Sequence, residues 1–568
     1  MSGFFSCPYI VPAVVGGGFV GGEALAKLTN SSEPDAMGID FTYHTSRSLQ
    51  MCVITSSVTV NSDPYSNLTY TSPSVKLCRQ SDGLWRYGNH NLLSRSQEFD
   101  TPWNKTEVTV TSDAATAPDG TTTADQVTVD VASTGNFLLR FYTPPSASQV
   151  ISSVFVKKGS GTDWFAMSNS GYFAYFDVNT GAVGTVGDGS ATITNAGNGW
   201  WHCRWTQTDF PQANAIRLRI AASNGNSDGP DGSFHYLWGA EVKIGPVANV
   251  TAGGFTQATG YIATTSAAKF DLPYEWNAAG VSQGILIEEV RTNRALRSQE
   301  LSHTDWTPDG FTSVTADQTT APDGTSTADL LTNSAGGGVH RLYQQIIIDD
   351  EGNAFSIFAK QGPATAGRYI TLSVTDAGGQ YKSATYDLQA GSVTQTANAT
   401  FAAPTASIVD AGNGWYRCIL VGPPPADGAY YHMVSAANAG TFTPAGDGCQ
   451  SFTGNSEKYY VWGAQTETGS FATSPIHTVG ASVTRAKDSI SLATSSYPHS
   501  ATVGTLIVNA NQIVPQGTVH TVPLSVSDGT GNEEILFHLV GSSAQVWARV
   551  VDGGTDQFAS HDLGDVAT

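Results

Sequence analysis

The residues best suited to chemistry occur in pairs. Asp177 stands in YFDVNTGAV and Asp387 in TYDLQAGSV, and two facing carboxylates are all that glycoside hydrolysis requires. Both precede a glycine turn, so turn capping is the role favoured for them. Asp119 and Asp323 lie in Pro-Asp-Gly turns, and Asp125 and Asp329 follow each six residues later. That spacing could supply oxygens to a structural calcium; the competing role is an Asx-turn, which needs only the backbone. A third set is aromatic. Trp200, Trp201, Trp415 and Tyr416 could stack on sugar rings, but one member of each adjacent pair must face inward on a strand. The recurrence of Trp200 as Trp415 and of Trp238 as Trp462 fits core anchoring. Trp164, Tyr172 and Tyr430, specific to one copy and placed in variable loops, are the other candidates for glycan stacking.

Beyond these pairs the sequence has no GxSxG, HExxH, Walker A or strand-to-helix GxGxxG signature. The six cysteines form no CxxC pair and no cluster at metal spacing. The expectation is therefore no catalytic residue, no metal, no cofactor and no enzymatic activity. Cys203 and Cys418 occupy matching places in apolar strand patterns and read as buried free thiols. For Cys7, Cys52, Cys78 and Cys449, disulfides within or between chains stay open.

The pairs exist because the chain contains a duplicated module. NLLSRSQEF at 91–99 and Trp103 recur as NRALRSQEL at 293–301 and Trp306; TAPDGTTTAD at 116–125 recurs as TAPDGTSTAD at 320–329. SVFVKKG, AGNGWWHCRW and LWGAEV find their partners in SIFAKQG, AGNGWYRCIL and VWGAQT, in the same order. Pro-Asp-Gly and Asn-Gly are turn dipeptides, and the flanking patterns alternate with period two. Each copy is expected to be an antiparallel β-sandwich of the jelly-roll kind. No amphipathic helical pattern separates the strands, which disfavours parallel βαβ units.

At 568 residues the chain exceeds the size of one core. The fold expected is all-β: residues 1–70 an N-terminal attachment or oligomerisation region, 71–247 the first sandwich with its lead-in, 248–292 an ordered connector, and 293–486 the second sandwich. The strand pattern of 487–568 looks like the opening of a concanavalin-like or laminin-G-like domain, with too few strands to close a two-sheet core, so the chain is expected to continue beyond Thr568. A net charge of -21 repels phosphate backbones and anionic lipid, which argues against nucleic-acid and membrane partners. The stretch PYIVPAVVGGGFVGGEALAKL, broken by Pro12 and glycines, reads as neither a signal peptide nor a membrane span.

Taken together, NLLSRSQEF with its tryptophan, APDGTTTAD, AGNGWWHCRW, WGAQ and GILIEEVRTN resemble modules of tailed-bacteriophage head-spike, neck and tail-fibre proteins, over roughly residues 70–490. The modules also look like carbohydrate-binding jelly rolls. The resemblance implies a structural virion component at head, neck (collar) or tail, assembled in the bacterial host cytoplasm. It also implies an N-terminal docking region, a homotrimer and contacts with other virion proteins. The alternative it carries is a receptor-binding fibre that recognises host surface polysaccharide.

Overall fold

A computed structural model describes residues 74–492, apart from breaks at 132–134, 143–148, 208–214, 246–260, 271–272, 278, 349–351, 365–366 and 425, together with strands between 36 and 71 and between 505 and 565. The described residues are all-β, and the two repeats fold as tandem antiparallel sandwiches with identical strand order. In the first, a front sheet runs Asn104–Thr106, Phe137–Phe141, Ala215–Ala221, Trp164–Asn169, Tyr172–Asp177, Ala182–Val186. Its back sheet runs Val108–Ala115, Ala124–Val129, Phe234–Ile244, Val150–Ser160, Trp200–Gln207, Ser190–Gly197. The second sandwich repeats this as a front sheet of Thr307–Asp309, Arg341–Ile348, Gly428–Ala437, Tyr369–Thr375, Tyr381–Asp387, Ser392–Ala399. Its back sheet is Phe311–Thr319, Ala328–Asn333, Lys458–Thr468, Asn353–Gln361, Trp415–Gly422, Thr405–Gly412.

The repeated motifs acquire local reasons. In AGNGW both central turn residues are left-handed, Asn198 at φ 53° and Gly199 at 80°, Asn413 at 53° and Gly414 at 80°, as a two-residue hairpin turn demands. The glycine of WGA sits where the register slips between the long central back-sheet strands. Gly239 and Gly463 take φ 65° and 68°, and an added Cβ would stand 3.1 and 3.0 Å from the rings of Phe155 and Phe358, so only glycine fits this bulge without strain. The asparagine that opens each motif is a clamp: Asn91 Nδ2 donates to the carbonyls of Ala240 and Ile262, while its Oδ1 accepts from the amides of Leu93 and Val242. Asn293 makes the same four bonds with Ala464, Ile476, Ala295 and Thr466.

Each sandwich continues past its WGA strand. The amide of Ser96 donates to the carbonyl of Thr264, and that of Ser298 to the carbonyl of Thr478. YIATT at 261–265 is thus the counterpart of PIHTV at 475–479. Of the segment read as a connector, residues 248–260 lie outside the described residues and 261–265 belong to the first sandwich.

The lead-in to the first sandwich is a hairpin of Leu77–Arg79 and Trp85–Tyr87, and it packs on the second sandwich. Trp85 meets Phe358 edge-on at 5.5 Å, its amide donates to the carbonyl of Pro322, and the Tyr87 hydroxyl bonds His477 Nδ1 at 2.8 Å. The same stretch then turns into the first sandwich, where Leu92 N donates to Val242 O and His90 Nε2 accepts from Ile244 N. Beside the hairpin lies a buried ionic cluster. Lys76 pairs with Asp488 and Glu288, Arg485 pairs with Glu288 at 3.3 Å, and Ser474 donates from its amide and hydroxyl to the two Glu288 oxygens at 2.7 and 2.6 Å. Lead-in, connector and the end of the second module are therefore held together at one point.

Residues 1–69 and 490–568, with 469–471, form a separate unit. Ala36–Ile39 pairs with Met51–Ile54 and, in parallel, with Thr505–Leu506. Thr521–Ser527, Glu534–Val540, Gln545–Asp552 and Thr555–Asp565 form an antiparallel sheet in chain order. The attachment role expected for residues 1–70 falls mostly outside the described residues.

Candidate binding face of the first module

Most residues singled out for chemistry are committed to the scaffold. Asp177 Oδ1 accepts the amides of Asn179 and Thr180, and Asp387 Oδ1 those of Gln389 and Ala390; Asp387 also pairs with Arg368 at 2.6 Å. Burial alone would raise both carboxyls, but these bonds hold them below their ordinary value. Asp119 and Asp323 each accept the amide and hydroxyl of the threonine two residues on. Asp125 and Asp329 each bridge two backbone amides: Phe99 and Asp113 in one copy, Ser302 and Asp317 in the other. All four are occupied by protein donors, and no group of three or more His, Cys, Asp or Glu side chains among the described residues could hold a metal ion.

The recurring tryptophans are anchors whose indole N–H groups find matching acceptors. Trp200 donates to Thr116 O and Trp415 to Thr320 O; Trp238 donates to Thr123 Oγ1 and Trp462 to Thr327 Oγ1. All four are buried. Trp201 and Tyr416 lie over the turn glycines Gly181 and Gly391, where a Cβ would stand 2.2 and 2.7 Å from their rings. Of the copy-specific aromatics, Tyr430 is buried with its hydroxyl on Ala426 O, and Tyr172 packs against the first core. None of the three lies in a loop: Trp164, Tyr172 and Tyr430 all belong to front-sheet strands. Cys203 and Cys418 are buried and free, and so are Cys78 and Cys449, which removes these last two from disulfides to a neighbouring chain. Cys7 and the Cys52 side chain fall outside the described residues.

The place where the two copies differ most is the outer side of the front sheet. Alternation along Trp164–Asn169 and Ala215–Ala221 sends Phe165, Met167, Leu218 and Ile220 into the core and Trp164, Ser168, Arg217 and Arg219 outward. Arg219 lies over two rings, 4.9 Å from the centre of Phe137 and 5.7 Å from Phe173, while Arg217 is 5.5 Å from Phe137. Arg219 Nε donates to Ser168 Oγ at 3.0 Å and Nη1 to Asn136 O at 3.2 Å. Burial, then the neighbouring Arg217 charge, works against the Arg219 cation, so an arriving anion would relieve repulsion there. Trp164 and Phe173 pack beside Tyr175 and Ala221 at one side, and Phe141, 56% exposed, marks the other end.

In the second module this face is roofed. The strand register equates Trp164, Ser168, Phe173, Arg217 and Arg219 with Tyr369, Ser373, Ser383, Met433 and Ser435; of these, the last four are buried. The cover is the segment 438–457, longer than its counterpart 222–233. Gln395 exchanges two bonds with the Phe442 backbone, Ser373 donates to Asp447 O, and Arg341 pairs with Asp447. Gly448 crosses the sheet at φ 81°, where a Cβ would stand 2.7 Å from Ser373 Oγ. Sequence reading missed this face, although the alternation R-L-R in AIRLRIA, absent from its counterpart, was a signal of two charges projecting from one side of a strand.

No family model and no curated protein matches the sequence. Among solved structures, the chain is similar to the N-terminal CBM22-1–CBM22-2 tandem domain of Paenibacillus barcinonensis Xyn10C, at 13% identity over 68% of this chain and 98% of that one, with a TM-score of 0.21. It is also similar to a Paenibacillus sp. cycloisomaltooligosaccharide glucanotransferase complexed with cycloisomaltoheptaose, at 12% identity over 63% of this chain and 47% of that one, with a TM-score of 0.16.

Proposed function

We propose that this protein is a non-enzymatic structural component of a tailed-bacteriophage virion, an appendage of head, neck or tail in which paired sandwiches act as one stiff element. The observation that supports this reading is the clamp between modules, in which the hairpin bearing Trp85 and Tyr87 and the ionic cluster of Lys76, Glu288, Arg485 and Asp488 join sandwiches that a plain linker would leave independent. A rigid joint is what a load-bearing element needs and what a tethered pair of binding domains does not. Homotrimerisation and docking through residues 1–70 belong to the same reading. Immunogold microscopy of intact virions with antibodies to the 293–486 module tests it: label at the capsid, the head-tail junction or a fibre is the expected result, and unlabelled particles would overturn it.

A second reading, recognition of host surface polysaccharide, is favoured by the partly exposed front face of the first module, where Phe137, Phe173 and Trp164 lie around Arg217 and Arg219. Rings of this kind stack on sugars, and the guanidinium groups match carboxylate or phosphate substituents. Binding of the full chain on a glycan array, lost in Phe173→Ala and Arg217→Ala, supports this reading; equal binding by these variants removes it.

A further inference from the structure

Lys382 is completely buried inside the second sandwich. It occupies an inward position on Tyr381–Asp387 next to Ala384 and Tyr386, and among the described residues no carboxylate pairs with it. Its Nζ donates to the side-chain oxygen of Asn353 and to the carbonyl of Gly422. Asn353, equally buried, opens the back-sheet strand Asn353–Gln361, so the two side chains meet across the space between the sheets. On the far side of the amide, Asn353 Nδ2 lies 3.1 Å from Nε2 of buried His432, whose Nδ1 faces the carbonyl of Tyr430 at 3.4 Å. A carbonyl can only accept, so Nδ1 carries the proton and Nε2 presents a lone pair to the amide. The first sandwich has nothing comparable: the strand register puts Val150, Tyr172 and Ile216 at the equivalent positions.

A lysine removed from water without a counter-charge favours its neutral form, and burial lowers the Lys382 amine to about 7. A neutral amine is a nucleophile, and one held against the side-chain amide of Asn353 has the advantage of proximity that drives intramolecular acyl transfer. His432 stays neutral because burial holds its imidazole far below the ordinary value, to about 3.

We propose that Lys382 and Asn353 form an intramolecular isopeptide bond across the second sandwich, with His432 positioning the Asn353 amide. Nζ attacks Cγ of Asn353, and a new Nζ–Cγ bond forms as the carbonyl electron pair moves to Oδ1. One proton passes from Nζ to Nδ2, the nitrogen that His432 Nε2 faces at 3.1 Å. The Cγ–Nδ2 bond then breaks, the carbonyl re-forms, and Nδ2 departs as ammonia. No oxidant, reductant or second substrate is consumed. The product ties a front-sheet strand to a back-sheet strand, so the sandwich cannot be peeled apart by force without breaking a covalent bond. The bond is independent of where the protein is mounted.

Intact mass spectrometry of the purified full chain tests this directly. The expected mass is lower than the sequence requires by one ammonia, and proteolysis yields a branched peptide joining the segments around 353 and 382. The loss disappears in Lys382→Met and is slowed at least tenfold in His432→Phe. A wild-type chain at full sequence mass, or an ammonia loss that maps to another asparagine with no branched peptide, overturns the proposal. That readout uses wild-type protein alone, so poor folding of a variant does not blunt it.

Discussion

Trp85 stands edge-on to Phe358 with ring centres 5.5 Å apart. The contact joins residues that precede the first sandwich to the back sheet of the second, and Trp85 is one of the large apolar side chains buried in the joint. Phe358 in turn packs against Trp462 at 5.4 Å, so the lead-in rests directly on a core anchor of the second module.

Replacing Trp85 with alanine removes this wedge and leaves a void, a change that costs about 3–5 kcal/mol in well-packed sites. Calorimetry of the wild type is expected to show the two sandwiches melting together, and Trp85→Ala to split them into two transitions. A variant that melts as one unit at an unchanged temperature would show that the hairpin is not the coupling element.

Gly463 should tolerate no side chain. At φ 68°, with Phe358 3.0 Å from its would-be Cβ, Gly463→Ala combines left-handed strain with displacement of the ring on which Trp85 rests, costing about 1–3 kcal/mol. Because both substitutions act through Phe358, their effects should be less than additive in urea titrations, whereas Gly239→Ala, acting in the other sandwich, should add to Trp85→Ala in full.

The joint carries opposite pH dependences. Burial by itself would raise the Glu288 carboxyl, but Arg485, Lys76 and Ser474 overcome it and hold the group at about 2. Its folded value is depressed, so its contribution is present above the unfolded value near 4.5 and is lost as pH falls toward 2. Glu275 behaves in the reverse sense: burial, then the charge of Glu288, raises it to about 7. Its folded state holds the proton longer than the unfolded chain, so stability falls as pH rises from about 4.5 to 7. Glu275→Gln is expected to stabilise the protein at pH 8 by about 1–3 kcal/mol and to leave it unchanged at pH 4. Melting temperatures at the two pH values check this, and equal gains at both would refute it.

Asn293 donates twice and accepts twice within the core of the second module. Asn293→Ala strands two buried amides and two buried carbonyls and should cost at least about 2–4 kcal/mol. Asn293→Asp keeps the acceptors, loses the donors and buries a charge, so its penalty should grow as pH rises through the carboxyl range. Asn91→Ala should act equally in the first module, and denaturation of both variants by urea allows the comparison.

Short-range patterns determined much of this protein from sequence alone. The duplication, the strand-rich sandwiches, the Asn-Gly and Pro-Asp-Gly turns, and the anchoring tryptophans were legible because turn chemistry and period-two alternation act between neighbours in the chain. Asp177 and Asp387 could likewise be read as turn caps from the glycine that follows. Alternation tells which side chains share a face of a strand, and it is silent on what lies over that face. Only the tertiary structure decided that segment 438–457 covers the front sheet of one module while Arg217, Arg219, Phe137 and Phe173 are only partly buried on the other. The same holds for Trp85, which lies in the lead-in to one sandwich and packs on the next, and for Lys382, Asn353 and His432. These three come from separate strands in two sheets, and strand pairing between distant segments brings their reactive atoms to one point inside the core.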